Sequence, residues 1–285
     1  MKIKLEQLRM VMVLETYLRG IGIHVEDEQK MFEMNPQWNT LKEVYLYLTG
    51  KKTDYLTNTG KMSNGSFGFS ASNCNAGGYL KKLANSICSI CYGDKGCYAF
   101  KNYKTKSKRT IESLSKTFWK EAMLFIIKHK EFKEFRWFDN GDLQSDKMLR
   151  DIFYIAEHTP DVKHWLPTKE YRMVRRVIEG GLHKPDNLDI RLSAFNINGS
   201  PPLKLARRLG VNCSVALTPE EFNKRNTKGL IEVKCHVAHS ITDKILLNTK
   251  LLISNYKETR RRLLTCNGCT ACYENKVDVV YYEVH

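Results

Sequence analysis

Seven of the chain's nine cysteines fall in two short stretches. The first holds Cys74, the pair Cys88-Ser-Ile-Cys91, and Cys97; the second is Cys266-Asn-Gly-Cys269-Thr-Ala-Cys272. An odd total with C-x-x-C spacing argues against a disulfide framework and for thiolates that bind metal in a reducing compartment. Cys-x-x-Cys-x-x-Cys lets three thiolates converge on one cluster and matches the first three ligands of the bacterial ferredoxin run. The run's fourth position is Lys276, so a fourth ligand comes from elsewhere or is absent. Gly268, between two ligands, permits the tight chain path. Zinc competes, since four thiolates also make a structural zinc site. Zinc ribbons use paired knuckles, however, and only Cys88/Cys91 is an isolated one here, so the pattern favours 4Fe-4S clusters, one or two. Either Cys74, Cys88, Cys91 and Cys97 close one site and the C-terminal trio holds a cluster with an open iron, or one N-terminal cysteine completes that trio. Cys213 and Cys235 lie in strand-like runs and read as core thiols.

The elements that must position these thiols read as α/β. Six β-prone runs occur at residues 66–70, 135–139, 162–166, 188–193, 211–217 and 230–235. Helical periodicity separates them: Ile111, Leu114, Phe118, Ala122, Phe125 and Ile126; then Met148, Ile152, Ile155 and Ala156, opened by Ser145; then Met173, Val174, Val177 and Ile178, ending at Gly180-Gly181; then Pro201 to Leu209, ending at Gly210. Strands alternating with helices imply right-handed βαβ units and a parallel sheet. The short repeat predicts a partial (β/α)6 barrel (TIM-like) over 61–262. An N-terminal helical extension spans 1–60, with Leu5, Leu8, Met12 and Tyr17 on one face and Leu41, Val44, Tyr45 and Leu48 on another. A C-terminal cysteine-rich segment spans 263–285. An open doubly wound sheet is the alternative, but no G-x-G-x-x-G or P-loop is present.

Barrel geometry places chemistry just beyond the strands' C-terminal ends. There the order offers Asn73 and Cys74, then Asn140-Gly141-Asp142, then Thr168, Lys169 and Glu170, then Phe195, Asn196 and Asn198, then Thr218 and Glu220, then His236 and His239. Loops are polar in any fold, so the rim carries only part of the argument. Asp142 reads as a general base, as a holder of a cofactor's amino group together with Asn140 and Gly141, or as a helix N-terminal carboxylate. Lys169 would neutralise an anionic substrate, or simply meet solvent. Arg136 and Arg191 would bind phosphate or carboxylate in the mouth, or pair with buried acids. Tyr98 and Trp137 would stack on a base or pack in the core.

With 46 Lys and Arg against 31 Asp and Glu the chain carries +15, which attracts phosphate-rich partners such as DNA or RNA. The densest basic runs are Lys101 to Arg109 and Lys257 to Arg262. The ordinary reading of such runs is a solvated helix face. No run of about 18 apolar residues exists, which predicts no membrane span. The first residues alternate charge with apolar residues and lack a signal peptide's apolar region, which predicts a cytoplasmic protein.

The motifs Cys97-Tyr98-Ala99-Phe100-Lys101, Phe135-Arg136-Trp137-Phe138-Asp139-Asn140-Gly141-Asp142, Asp161-Val162-Lys163-His164-Trp165 with Thr168-Lys169, Ile190-Arg191-Leu192-Ser193 and the terminal cysteine triplet resemble the phage "gene product 88" family over about residues 66–273. That resemblance implies a phage protein working in the host cytoplasm. The layout is also distantly similar to radical S-adenosylmethionine enzymes, with Asn140-Gly141-Asp142 where their Gly-Gly-Glu segment stands. It implies a partial barrel and S-adenosylmethionine as cofactor, although their C-x-x-x-C-x-x-C signature is absent. The expected function is therefore iron–sulfur redox or radical chemistry on a nucleic acid, nucleotide or other anionic substrate. A metal-stabilised nucleic-acid-binding protein and a zinc-dependent hydrolase using His236 and His239 are the alternatives.

Overall fold

The computed structural model describes residues 38–57, 65–224, 232–234, 271–273 and 277–284. The chain divides into two compact units, Met1–Asn39 and Thr40–His285. The described elements belong to the second. The expected helical face of Leu5, Leu8, Met12 and Tyr17, the basic run 257–262, and Cys235, His236, His239, Cys266 and Cys269 lie outside the described residues.

Helix α1 (Leu41–Thr49) opens with a capping box between Thr40 and Glu43 and closes on Gly50 in the left-handed region. It buries Val44, Tyr45 and Leu48, the face its periodicity predicts. The chain then runs through β1 (Gly65–Phe67), α2 (Asn75–Leu80), α3 (Lys101–Ser113), α4 (Trp119–His129), β2 (Glu134–Trp137), α5 (Asp146–Glu157), β3 (Lys163–Thr168), α6 (Tyr171–Glu179), β4 (Leu188–Ser193), α7 (Leu203–Leu209), β5 (Asn212–Leu217), α8 (Pro219–Lys224), β6 (Glu232–Lys234) and β7 (Val279–Glu283). Short 3-10 turns fill the stretch between Ala71 and Ala99.

All six strand-like runs become strands, and α5 to α7 stand where their periodicity put them. The long pattern from Ile111 to Ile126 is two helices, not one. Ser113 and Ser115 turn their hydroxyls onto the carbonyls of Thr110 and Glu112 (2.6 and 2.8 Å). Such local bonds compete with the helical ladder and end α3 there.

Among the described residues the sheet has seven strands in the order β1-β2-β3-β4-β5-β7-β6, every neighbouring pair parallel. The seventh strand was not expected. Val279 to Glu283 lies in the tail that the sequence assigns to a cysteine-rich segment, yet its β-branched and aromatic residues suit a strand. It wedges between β5 and β6, pairing Cys213 with Val279 and Glu232 with Val279.

Alternation along the strands gives the sheet two unlike faces. One is apolar: Phe67, Phe135 and Trp137 pack edge-on with Trp119 of α4 behind them. Trp137 is therefore a core residue with no exposed ring, the packing reading of the two that its sequence context offers. The other face carries Arg136, Trp165, Asp189, Arg191, Asn212 and Tyr282. The Arg136 guanidinium lies over the Trp165 ring at 4.5 Å, and Trp165 meets the rings of Tyr273 and Tyr282. Cys272 and Tyr273 thus lie on the polar face, with Cys272 beside Tyr282 (Sγ to Oη, 2.9 Å).

A buried histidine sits on the apolar face. Trp137 Nε1 donates to His164 Nδ1 (3.3 Å), and His164 Nε2 meets the Thr159 hydroxyl (2.9 Å), which donates to the Ile155 carbonyl (2.7 Å). With Nδ1 accepting, the chain of donors is complete only for the neutral ring. Burial accordingly lowers the His164 pKa to about 3. The unfolded chain takes up a proton near pH 6.5 that the folded chain refuses. His164's stabilising contribution is thus full above that pH and is lost progressively as pH falls toward 3. Urea unfolding at pH 7 and pH 5 is expected to differ by about 2 kcal/mol more in the wild type than in His164→Gln. Equal pH dependence in both would refute this.

Candidate functional site

The segment from Ser70 to Phe100 crosses the C-terminal ends of β1 to β4, and each strand-end loop holds it at a different point. From the loop after β2, Gln144 Nε2 donates to the Asn73 carbonyl (3.0 Å) and Asn140 Nδ2 to the Gly93 carbonyl (3.0 Å). After β3, Glu170 Oε1 accepts from the Ala76 amide (2.7 Å). After β4, the Phe195 carbonyl accepts from Ile87, and Ile197 donates to the Asn85 carbonyl (2.9 Å each). From α3, the Ser107 hydroxyl accepts from the Ser70 amide (2.6 Å).

These ties gather three thiols. A Cβ added to Gly77 would stand 3.6 Å from Cys74 Sγ and 3.7 Å from Cys88 Sγ, so the two sulfurs flank this glycine. It would also lie 2.9 Å from Cys74 Cβ, a contact that any side chain at position 77 would force apart. Cys91 acts electrostatically on both Cys74 and Cys88, and so do Asp142 and Lys169. Burial pushes the Cys74 and Cys88 thiols up. Asp142 and the neighbouring thiols push Cys74 further, and the Lys169 ammonium opposes the shift at both. A bound cation would reverse that balance, since a coordinating thiol gives up its proton. Cys91 Sγ accepts from the Gly93 amide (3.4 Å), a contact of the kind that tunes a ligating sulfur.

Cys97 stands apart. It is exposed, and its charge bears on Tyr103. Cys272 is half-buried on the polar sheet face, and its partners in the triplet lie outside the described residues. Among the described residues no three Cys, His, Asp or Glu side chains lie close enough to hold a single metal ion. One zinc draws every sulfur to about 2.3 Å from itself, whereas each thiolate of an iron–sulfur cluster takes a different iron. The donor set this loop offers is three half-buried thiols, two of them flanking Gly77, with one ammonium in electrostatic range.

The other expected residues are placed unequally. Asp142 is 6% exposed, and its carboxylate is shared inward: Oδ1 accepts from the Thr168 hydroxyl (2.6 Å) and the Leu143 amide (2.8 Å), Oδ2 from the Lys169 amide (2.9 Å). Burial raises its pKa against the pull of those donors. It clamps the β2 loop to the β3 loop and so sets Lys169 facing the thiols. The helix-cap role belongs to Ser145, which accepts from Met148 (3.1 Å). Asn140 is spent on Gly93 of the cysteine loop and on the Tyr103 hydroxyl of α3 (3.2 Å). Gly141 has φ +87, and a Cβ there would stand 2.6 Å from the Phe69 ring, so only glycine closes this turn. Arg191 takes the second of its two expected places, paired with a buried acid, and is fully enclosed. It pairs with Asp189 (2.7 Å) and donates to the carbonyls of Val277 (2.8 Å), Cys213 (3.3 Å) and Cys272 (3.4 Å).

Several residues that build the site were not anticipated. Phe138, buried and with φ +56, reverses the chain after β2 in a conformation that bulky residues rarely adopt. The reversal turns Asp139 toward the loop, where Thr57 and Tyr98 donate to its carboxylate (2.6 and 3.1 Å) and Tyr92 to its carbonyl (2.6 Å). Tyr98 is thus a hydrogen-bonded part of the scaffold. The Gly77-Gly78 pair three residues after Cys74 was the available signal of a close approach.

Residues 39–275 match the family described as gene product 88. No curated protein and no solved structure matches the chain. Among the described residues no helix is long and apolar enough to cross a membrane.

Proposed function

We propose, from the premise that the chain belongs to the gene product 88 family, that it is an iron–sulfur enzyme acting on an anionic substrate by redox or radical chemistry. Cys74, Cys88 and Cys91 would hold a 4Fe-4S cluster with one iron left without a thiolate. The observation that carries this reading is that Cys74 and Cys88 flank Gly77 at the C-terminal ends of the strands, with Cys91 and Lys169 in electrostatic range of both. When bound, such a cluster supplies one-electron chemistry, and the open iron offers a coordination position to substrate or to S-adenosylmethionine.

The chain's own groups take simpler parts. The Lys169 ammonium neutralises an anionic group brought to the rim. Asp142 positions Lys169 through its backbone amide. The Cys266, Cys269 and Cys272 triplet would hold a second cluster. The sheet supports the partial-barrel reading of this site. With β1 to β5 in sequential order, right-handed crossovers put their helices on one face. In that reading the polar face would curl inward around Arg136 and Trp165 rather than meet a second helical layer.

Anaerobic purification followed by iron, sulfide and zinc analysis tests the reading. A brown protein with about four irons per chain, or about eight with a second cluster, is expected. Stoichiometric zinc without labile sulfide would overturn it. With the reduced protein, cleavage of S-adenosylmethionine to 5′-deoxyadenosine is expected if the radical form of the chemistry is right, and its absence would remove that form.

A further inference from the structure

We propose that the outer surface of the cysteine loop and the start of α3 bind single-stranded nucleic acid, with Tyr79, Tyr92 and Phe100 as stacking platforms. This deepens the anionic-substrate reading of the rim, on which it rests for its purpose, by naming the substrate class.

Rings and charges on this surface are unusually placed. Tyr79 is 67% exposed, Phe100 66% and Tyr92 49%. With Leu83 they are four of the seven large hydrophobic side chains exposed among the described residues, all within 22 residues of one another. Aromatic rings normally bury their area, so a group left facing solvent marks a contact surface. Contacts within this stretch draw its turns together. Lys81 at the end of α2 pairs with Asp94 of the next turn. Tyr92 meets Tyr98 (5.9 Å between centroids), two residues before Phe100.

Charge selects the partner. Residues 70–111 carry eight Lys and Arg against one acid, Asp94, about half the chain's whole excess. Asp94 is itself taken by Lys81. Lys101, Lys104 and Lys108 follow at helical spacing on the exposed side of α3. Positive charge interleaved with accessible rings suits a strand whose phosphates and base faces are both available. A duplex offers the phosphates but keeps its bases stacked. The patch adjoins Cys88 and Cys91, so a strand lying on it would pass the thiol trio.

The test uses the full chain as purified, fluorescently labelled oligo-dT and oligo-U of roughly 12 nucleotides, the corresponding duplex, and anionic phospholipid vesicles. Single strands are expected to bind more tightly than duplex, with the dT and U arms showing whether DNA or RNA is preferred. Tyr79→Ala and Phe100→Ala should each weaken single-strand binding roughly five- to a hundredfold. Lys101→Ala and Lys104→Ala should each flatten the dependence of log affinity on log salt by roughly 0.7. Leu182→Ala, exposed elsewhere, should leave affinity unchanged. Equal affinity for duplex, indifference to both ring variants in correctly folded protein, or binding to vesicles alone would each overturn the proposal. Iron is measured in the same samples. Iron-free protein that binds single strands upholds this surface and overturns the cluster reading, whereas iron-replete protein that ignores the oligomers does the reverse.

Discussion

Cys74→Ser, Cys88→Ser and Cys91→Ser are each expected to lower the iron content by about four atoms per chain, while Cys97→Ser leaves it unchanged. The two sets of variants separate by geometry. Cys74 and Cys88 flank Gly77, Cys91 acts on both, and Lys169 faces them. Cys97 points to solvent beside Tyr103. A cluster with only three protein thiolates has no spare ligand, so serine at any of them leaves two. The loop should survive the change, because its position depends on Asn140, Gln144, Glu170 and the Phe195 and Ile197 backbone rather than on sulfur. Far-UV circular dichroism should therefore match the wild type. Loss of iron in Cys97→Ser equal to that in Cys88→Ser would show that the trio has been misassigned.

The largest effect on stability is expected from Arg191→Met, about 3–5 kcal/mol. Arg191 and Asp189 are both fully enclosed and pair at 2.7 Å. Removing the arginine leaves a carboxyl whose other partner is Asn212 (2.7 Å). Burial already raises Asp189 to about 6 with Arg191 present. The substitution also releases the carbonyls of Cys213, Cys272 and Val277. Two of these bonds tie Cys272 and Val277 to the sheet, so both they and β7 should loosen. Arg191→Met with Asp189→Asn should recover a substantial part of the loss, because no buried charge remains. Denaturant midpoints measure both. A loss below about 1 kcal/mol in the single variant would contradict the pair's structural role.

Legibility in the sequence followed the range of the interaction. Period-2 and period-3.6 patterns are local, and they marked six strands, the Ser145 cap, the Gly180 and Gly210 stops and the buried face of α1. The break between α3 and α4 was hidden because Ile111 to Ile126 keeps a helical spacing of apolar residues across it, while the serine hydroxyls that end α3 leave no periodic trace. The β7 strand was hidden by its neighbours, since a cysteine triplet just upstream drew the whole tail into one reading.

From the sequence by itself came the parallel α/β architecture, the grouping of cysteines into two stretches, the excess of positive charge and the placement of Asp142 and Lys169 beyond the strand ends. Only the tertiary structure decided which thiols of the first stretch are half-buried and which is exposed. Spacing along the chain treats Cys74, Cys88, Cys91 and Cys97 alike, but loop contacts from three different strands bring the first three inward and leave Cys97 outside. It also decided the arginines: both lie on the polar face of the sheet, yet Asp189 and the C-terminal carbonyls enclose Arg191, while Arg136 lies over Trp165. Such pairings join residues far apart in the chain, and their free energy depends on burial and on partners that no local pattern records.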